Sequence, residues 1–214
     1  ALVRGELLGH VCRAWHQTQS AACLRLFERF YAMQRQVTAP RIGPLDLSTG
    51  DSAFFGGPDP NLPWLREDWG PWQNPMNTGF RMLRYWRIWD TGIFAHLPVR
   101  LAYDFLADQW RHLLLYQPFT GYPQRAGNHY LFEIGTAPYL CAGMMPEFAA
   151  CRAMMKTAAR TINDYLRRWV FPDGSYVEHS SGYTVVAWGD LLAPYCWARH
   201  NGIQLLPPRS QDRL

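Results

Sequence analysis

The sequence predicts an all-α protein, a succession of helical hairpins of which a closed or partial α/α toroid is one form. Three observations predict it. Apolar residues recur at three- and four-residue spacing through most of the 214 residues. Prolines and glycines gather in the segments between those periodic stretches, where they end helices. Strand signals are nearly absent, with one short extended run after the Pro172-Asp173-Gly174 turn.

The elements follow in order. Residues 2–37 read as helical, with Leu7, Val11, Trp15, Ala22, Leu26, Phe30 and Met33 in register. Residues 38–78 change character, because Pro40, Pro44, Pro58, Pro60, Pro63, Pro71 and Pro75 forbid a long helix and Gly56-Gly57 adds a turn. This stretch also carries Phe54, Phe55, Trp64, Trp69 and Trp72, which a disordered linker would not. It is therefore expected to be a long ordered loop packed over a cleft. Helix resumes at Asn77, placing Phe80, Leu83, Trp86 or Arg87, Asp90 and Phe94 on related faces. Pro98 opens the next helix, with Leu101, Phe105, Ala107 or Asp108 and His112 in register. A loop at 117–128 leads to a helix over 129–145, with a kink expected at Pro138. Residues 146–169 form the cleanest helix, striped by Phe148, Cys151, Met155, Ala158, Ile162, Tyr165 and Trp169. A turn and a short extended run fill 171–183, and 184–200 return to helix. One helical domain over 1–200 is thus expected, with 201–214 a tail or linker to a domain beyond this chain.

Composition narrows the class of partner. Aromatics at 15% suit a large core and equally a sugar cleft, where flat rings stack on pyranoses. A net charge of +4 fits an anionic partner, either an acidic glycan or a nucleic acid. Every basic residue but Lys156 is Arg, whose planar fork suits carboxylate or sulfate. The basic residues look scattered, with no run and no clustering on one helix, so no nucleic acid is expected. Cys12, Cys23, Cys141, Cys151 and Cys196 are odd in number and form no C-x-x-C, which signals neither a disulfide framework nor a zinc site. No stretch is long and apolar enough to span a membrane.

The residues that carry chemistry lie between Arg125 and Tyr183. Arg125-Ala-Gly-Asn128-His129 opens a helix, and Glu133 follows one turn later. Then come Ala142-Gly143-Met144-Met145-Pro146-Glu147-Phe148, the Pro172-Asp173-Gly174 turn, and Glu178-His179-Ser180-Ser181-Gly182-Tyr183. Upstream stand Gly79-Phe80-Arg81 and Trp86. In order and spacing, over roughly residues 70–200, this set resembles the heparinase II/III family and the related alginate lyases with helical toroid domains. The resemblance implies an incomplete α/α toroid without the C-terminal β-sandwich on which relatives carry a further catalytic His or Tyr. It implies β-elimination of an acidic, uronic-acid-containing polysaccharide of heparan, alginate or another uronate type, met in the periplasm or outside the cell. It makes Asn128, His129 and Tyr183 catalytic, and sets Arg81, Trp86, Arg125, Glu133, Glu178 and His179 along the substrate. No cofactor is implied. The structural metal of some relatives belongs to the sandwich, so no metal is expected.

The chemistry gives these residue types a reason of their own. Cleavage must remove the weakly acidic C5 proton beside a carboxylate. Donors aimed at that carboxylate stabilise the enolate-like charge that develops. The neutral amide of Asn128 and the imidazole of His129 are such donors. A phenol can take the C5 proton and return one to O4 when a neighbour stabilises its anion; the resemblance gives that part to Tyr183. Plainer readings stand beside these. Asn128 suits a helix N-cap. Glu133 suits an orienter of His129 or a surface pair. Tyr183 suits a core ring with a satisfied hydroxyl, and Arg81 a structural ion pair or a substrate clamp. Two other functions compete. A glycoside hydrolase on an α/α toroid would need two facing carboxyl groups, for which Asp90 and Asp104 are candidates. A non-catalytic glycan-binding domain would keep the ring-lined cleft without needing Tyr183.

Overall fold

The protein is seen here as a computed structural model, which describes residues 5–38, 75–116 and 131–208. These residues are all-α, as expected. The helices are α1 (Glu6–Thr18), α2 (Ala21–Thr38), α3 (Pro75–Asp90), α4 (Val99–Tyr116), α5 (Ala137–Gly143), α6 (Ala149–Trp169) and α7 (Ser181–His200). A 3-10 turn spans Ile93–His96, and a π-helical segment spans Leu131–Thr136. Among the described residues the one strand-like feature is an isolated antiparallel bridge between Val170 and Tyr176. Most of the expected cleft loop over 38–78 lies outside the described residues, as do Arg125, Asn128 and His129. The chain divides into two compact units, Ala1–Pro118 and Phe119–Leu214.

In the first unit the helix expected over 2–37 is two helices. Gln19 adopts left-handed backbone (φ 53°) and its N–H bonds to the Trp15 carbonyl at 2.7 Å, which closes α1 as an αL cap does. Ser20 Oγ then accepts from the Ala22 N–H at 3.2 Å and helps start α2. The break resets the helical phase. α2 therefore buries Phe27, Tyr31 and Gln34, while Leu26 and Met33 of the expected stripe are 41% and 38% exposed. The core joins Leu8, Val11, Cys12 and Trp15 to Phe27, Tyr31, Tyr85, Ile88, Ile93, Leu97 and Phe105. Phe105 is its centre, with ring centroids 4.4 Å from Tyr85, 4.8 Å from Phe94 and 5.3 Å from Tyr31. Each ring so buried contributes about 1.5–3 kcal/mol.

In the second unit the expected kink at Pro138 takes a specific form. The π-helical segment passes into α5 one residue before Pro138, which sits in the first turn of that helix. Proline has no N–H to donate back, so the ladder is interrupted where the winding changes. A second proline, Pro194, lies inside α7 and leaves the Asp190 carbonyl without its usual donor four residues on. Thr136 Oγ1 donates to that carbonyl at 2.6 Å and ties the π-helical segment to α7. Gly143 lets Trp197 lie directly against α5, where a Cβ would meet three of its ring atoms at 2.9 Å or less. The tail turns back after α7: Asn163 Nδ2 donates to the Leu205 carbonyl at 2.9 Å, and Leu205 and Leu206 are buried.

α6 buries Cys151, Met154, Ala158, Thr161, Ile162, Tyr165 and Leu166. Its expected stripe is rotated slightly, with Met154 in place of Met155 and Phe148 half exposed before the first turn. The opposite face corrects the reading of scattered charge. Arg152, Lys156, Arg160, Arg167 and Arg168 are all exposed on this one helix.

Candidate functional site

The segment joining α6 to α7 builds the candidate site from short-range bonds. Phe171 N–H donates to the Ser175 carbonyl and Gly174 N–H to the Phe171 carbonyl, each at 2.9 Å. Gly174 holds φ 82°, which glycine adopts without strain. The Asp173 carboxylate accepts from Ser175 N–H at 2.9 Å and Ser175 Oγ at 2.7 Å, and these bonds lower its pKa. Tyr176 is fully buried, and its hydroxyl bonds to that of Tyr165. Trp188 Nε1 donates to the Gly174 carbonyl at 2.9 Å and latches the turn onto α7.

This framework presents the sequence-predicted residues at one end of α7. Ser180 is the N-cap, and its Oγ accepts from the Tyr183 N–H at 3.4 Å. Tyr183 therefore sits in the first turn, and its side chain is 48% exposed. That exposure rules out the core-ring reading of Tyr183. His179, next to the cap, holds left-handed backbone at φ 51°, and its ring stacks on Phe171 with centroids 5.9 Å apart. A non-glycine residue in that region costs about 1–2 kcal/mol. Glu178 and His179 are both exposed. An open phenol, an imidazole and a carboxyl thus share this helix end. Phe171 carried no signal in the sequence, since its partner lies across the turn.

Glu133 lies in the π-helical segment, a type of distortion common at functional sites. It has no hydrogen-bond or ion-pair partner among the described residues. Burial pushes its carboxyl up to about 7. Near neutral pH such a group can accept or donate a hydrogen bond, and it can pass a proton.

In the first unit Arg81 is fully buried. Its Nε donates to His112 Nε2 at 2.8 Å and its NH2 group to Thr78 Oγ1 at 2.9 Å. Accepting at Nε2 leaves the His112 proton on Nδ1, directed at the Asp108 carbonyl. Burial, with the Arg81 guanidinium beside it, holds His112 neutral and well below its usual pKa. These contacts favour the structural reading of Arg81, a bracket between α3 and α4. Trp86 is half-buried on α3. Sequence reasoning saw Asp108 only as a face residue. It accepts from Tyr31 Oη at 2.6 Å and pairs with Arg35 at 3.1 Å and Arg111 at 2.7 Å.

A comparison with family models matches the one described as Heparinase II/III N-terminus over residues 97–211, just over half of the chain. The chain belongs to the heparinase II/III family. In this heparinase II/III chain the match takes in α4 to α7 and all of the segment that positions Tyr183, and it begins after Arg81 and Trp86. No match was found among curated proteins or among solved structures. No group of three His, Cys, Asp or Glu among the described residues is placed to hold a metal ion. No helix among them is long and apolar enough to cross a membrane.

Proposed function

We propose that this chain is the α/α-toroid part of a polysaccharide lyase that cleaves a uronic-acid-containing glycan by β-elimination. One observation carries the reading: in a chain of the heparinase II/III family, the tyrosine of the Glu-x-Ser-x-x-Tyr segment stands exposed on a capped helix end rather than in the core. In this reading Asn128 and His129 hold the uronate carboxylate, and their donors stabilise the charge that spreads onto it. The Tyr183 phenolate takes the C5 proton, and that C–H electron pair forms the C4–C5 double bond. The C4–O4 bond breaks with its electrons on O4, which takes the proton from the Tyr183 hydroxyl as it leaves and restores the starting state of that group. Glu133 orients His129. Arg125, Glu178, His179 and Trp86 face neighbouring sugars, and Arg81 acts through the helix it braces. A β-sandwich domain supplies the remaining catalytic residue, and the enzyme meets its polymer in the periplasm or outside the cell.

The test is Tyr183→Phe in the intact enzyme, followed by the ultraviolet absorbance of the unsaturated uronate product. Loss of an acid–base group costs roughly 10²–10⁴ in rate. Turnover at the wild-type rate would end the assignment.

A further inference from the structure

The chain's net charge of +4 is not spread evenly. α6 alone carries five basic residues and one acid, Asp164, a surplus of four that equals the charge of the whole chain. At about 100° per residue, Arg152, Lys156, Arg160 and Arg167 fall within an arc of roughly 80° and run along about 22 Å of helix. That arc lies opposite the buried face made by Cys151, Ala158, Thr161 and Tyr165. Arg167 pairs with Asp164. Arg152 donates to the Pro146 and Glu147 carbonyls at 2.7 and 2.8 Å, and Arg160 leans on the Lys156 carbonyl at 3.4 Å. Carbonyl acceptors fix the direction of a guanidinium without cancelling its charge. Arg152, Lys156 and Arg160 meet no carboxylate among the described residues.

We infer that this ridge, which shares no residue with the Tyr183 end of α7, is a second binding site that holds an acidic glycan chain along α6. The choice of glycan rests on the lyase reading; the ridge itself does not. Steps of four residues set Arg152, Lys156 and Arg160 about 6 Å apart, with Arg167 about 10 Å further on, a rail for repeated carboxylate or sulfate groups. Between the cations the ridge presents Ala149 and Ala153, and the one ring beside it is Phe148 at its N-terminal end, so it lacks the row of rings on which successive nucleic-acid bases stack. Such a rail concentrates an anionic polymer near the enzyme.

The test uses this chain, with binding to heparin, alginate, neutral dextran and a DNA duplex followed over a salt series. Lys156→Glu/Arg160→Glu is compared with Arg25→Glu/Arg29→Glu, an equal charge change on the exposed face of α2, and circular dichroism checks that both remain helical. The α6 variant should bind the acidic glycans on the order of tenfold more weakly at low salt, with a shallower salt dependence. The α2 variant should bind as the wild type does. Equal losses in the two variants, no loss in either, or tighter binding to DNA than to either glycan would overturn the inference. If the intact enzyme forms no unsaturated product while the α6 variant still loses glycan binding, the lyase reading falls and the ridge stands.

Discussion

Replacing Glu133 by Gln keeps the shape of the side chain and removes its charge. The carboxyl titrates near 7 in the folded chain, against an ordinary value of 4.5, because burial disfavours its ionised form. Between those two pH values the folded chain holds a proton that the unfolded chain has released. Stability therefore falls as pH rises from about 4.5 to about 7, and above that it no longer depends on this group. At about 1.4 kcal/mol per unit the full shift is about 3 kcal/mol, and the partial exposure of the side chain trims this to about 2–3 kcal/mol. Glu133→Gln should thus match the wild type near pH 4.5 and exceed it by about 2–3 kcal/mol at pH 8. Urea unfolding at a series of pH values from 4.5 to 8.5 reads the difference directly. Two stability curves that run parallel across that range would refute the reasoning, because they would mean that the carboxyl titrates alike in both states.

Three further changes test the packing on which the site rests. His112 is held neutral by burial and by Arg81, so the unfolded chain gains a proton there that the folded chain does not. Amides of α3 and α4 should exchange faster, relative to those of α6, as pH falls below about 6.5; an unchanged ratio would count against it. Thr136→Val leaves the Asp190 carbonyl without its 2.6 Å donor and should cost about 1–2 kcal/mol in urea unfolding. Gly143→Ala drives a methyl group into the rigid Trp197 ring and should cost about 1–3 kcal/mol, with the Trp197 fluorescence changed in the folded state.

Periodicity made the helices legible, because burial of one face is what forms them. It served α6 well, where Cys151, Ala158, Ile162 and Tyr165 were read correctly. It served α2 poorly. The turn at Gln19-Ser20 contains neither Gly nor Pro and Ser20 was its one local signal, too little to show that the phase would restart and that Phe27 and Tyr31 would replace Leu26 and Met33 in the core. At the candidate site the motif located the exposed end of α7 but not the stacking of Phe171 on His179, which depends on how a turn closes. Arg81 was left between two roles because its partner, His112, lies 31 residues away on another helix. The basic ridge failed for the opposite reason. Its residues are spaced by four and then seven, so they look scattered along the chain and become neighbours only when the helix winds.

The described carboxyl groups bear on the choice between elimination and hydrolysis. A hydrolase needs two carboxyl groups across one bond, one of them held protonated and the other free to act as base or nucleophile. Asp104 is engaged by Arg35 at 3.3 Å and by Arg100 at 3.7 Å, so its carboxylate is tied into ion pairs on its own unit. Asp90 is exposed at the end of α3. Elimination makes a different demand. The substrate's own carboxylate takes up the charge, so the enzyme needs neutral donors and a group that exchanges one proton, not a carboxyl pair. The proposed role of Tyr183 asks only for a phenol open to substrate, and its place on a capped, exposed helix end supports that. Glu133, whose carboxyl burial pushes up to about 7, has a part in the proposed elimination as the group that orients His129 and has none in hydrolysis by these aspartates.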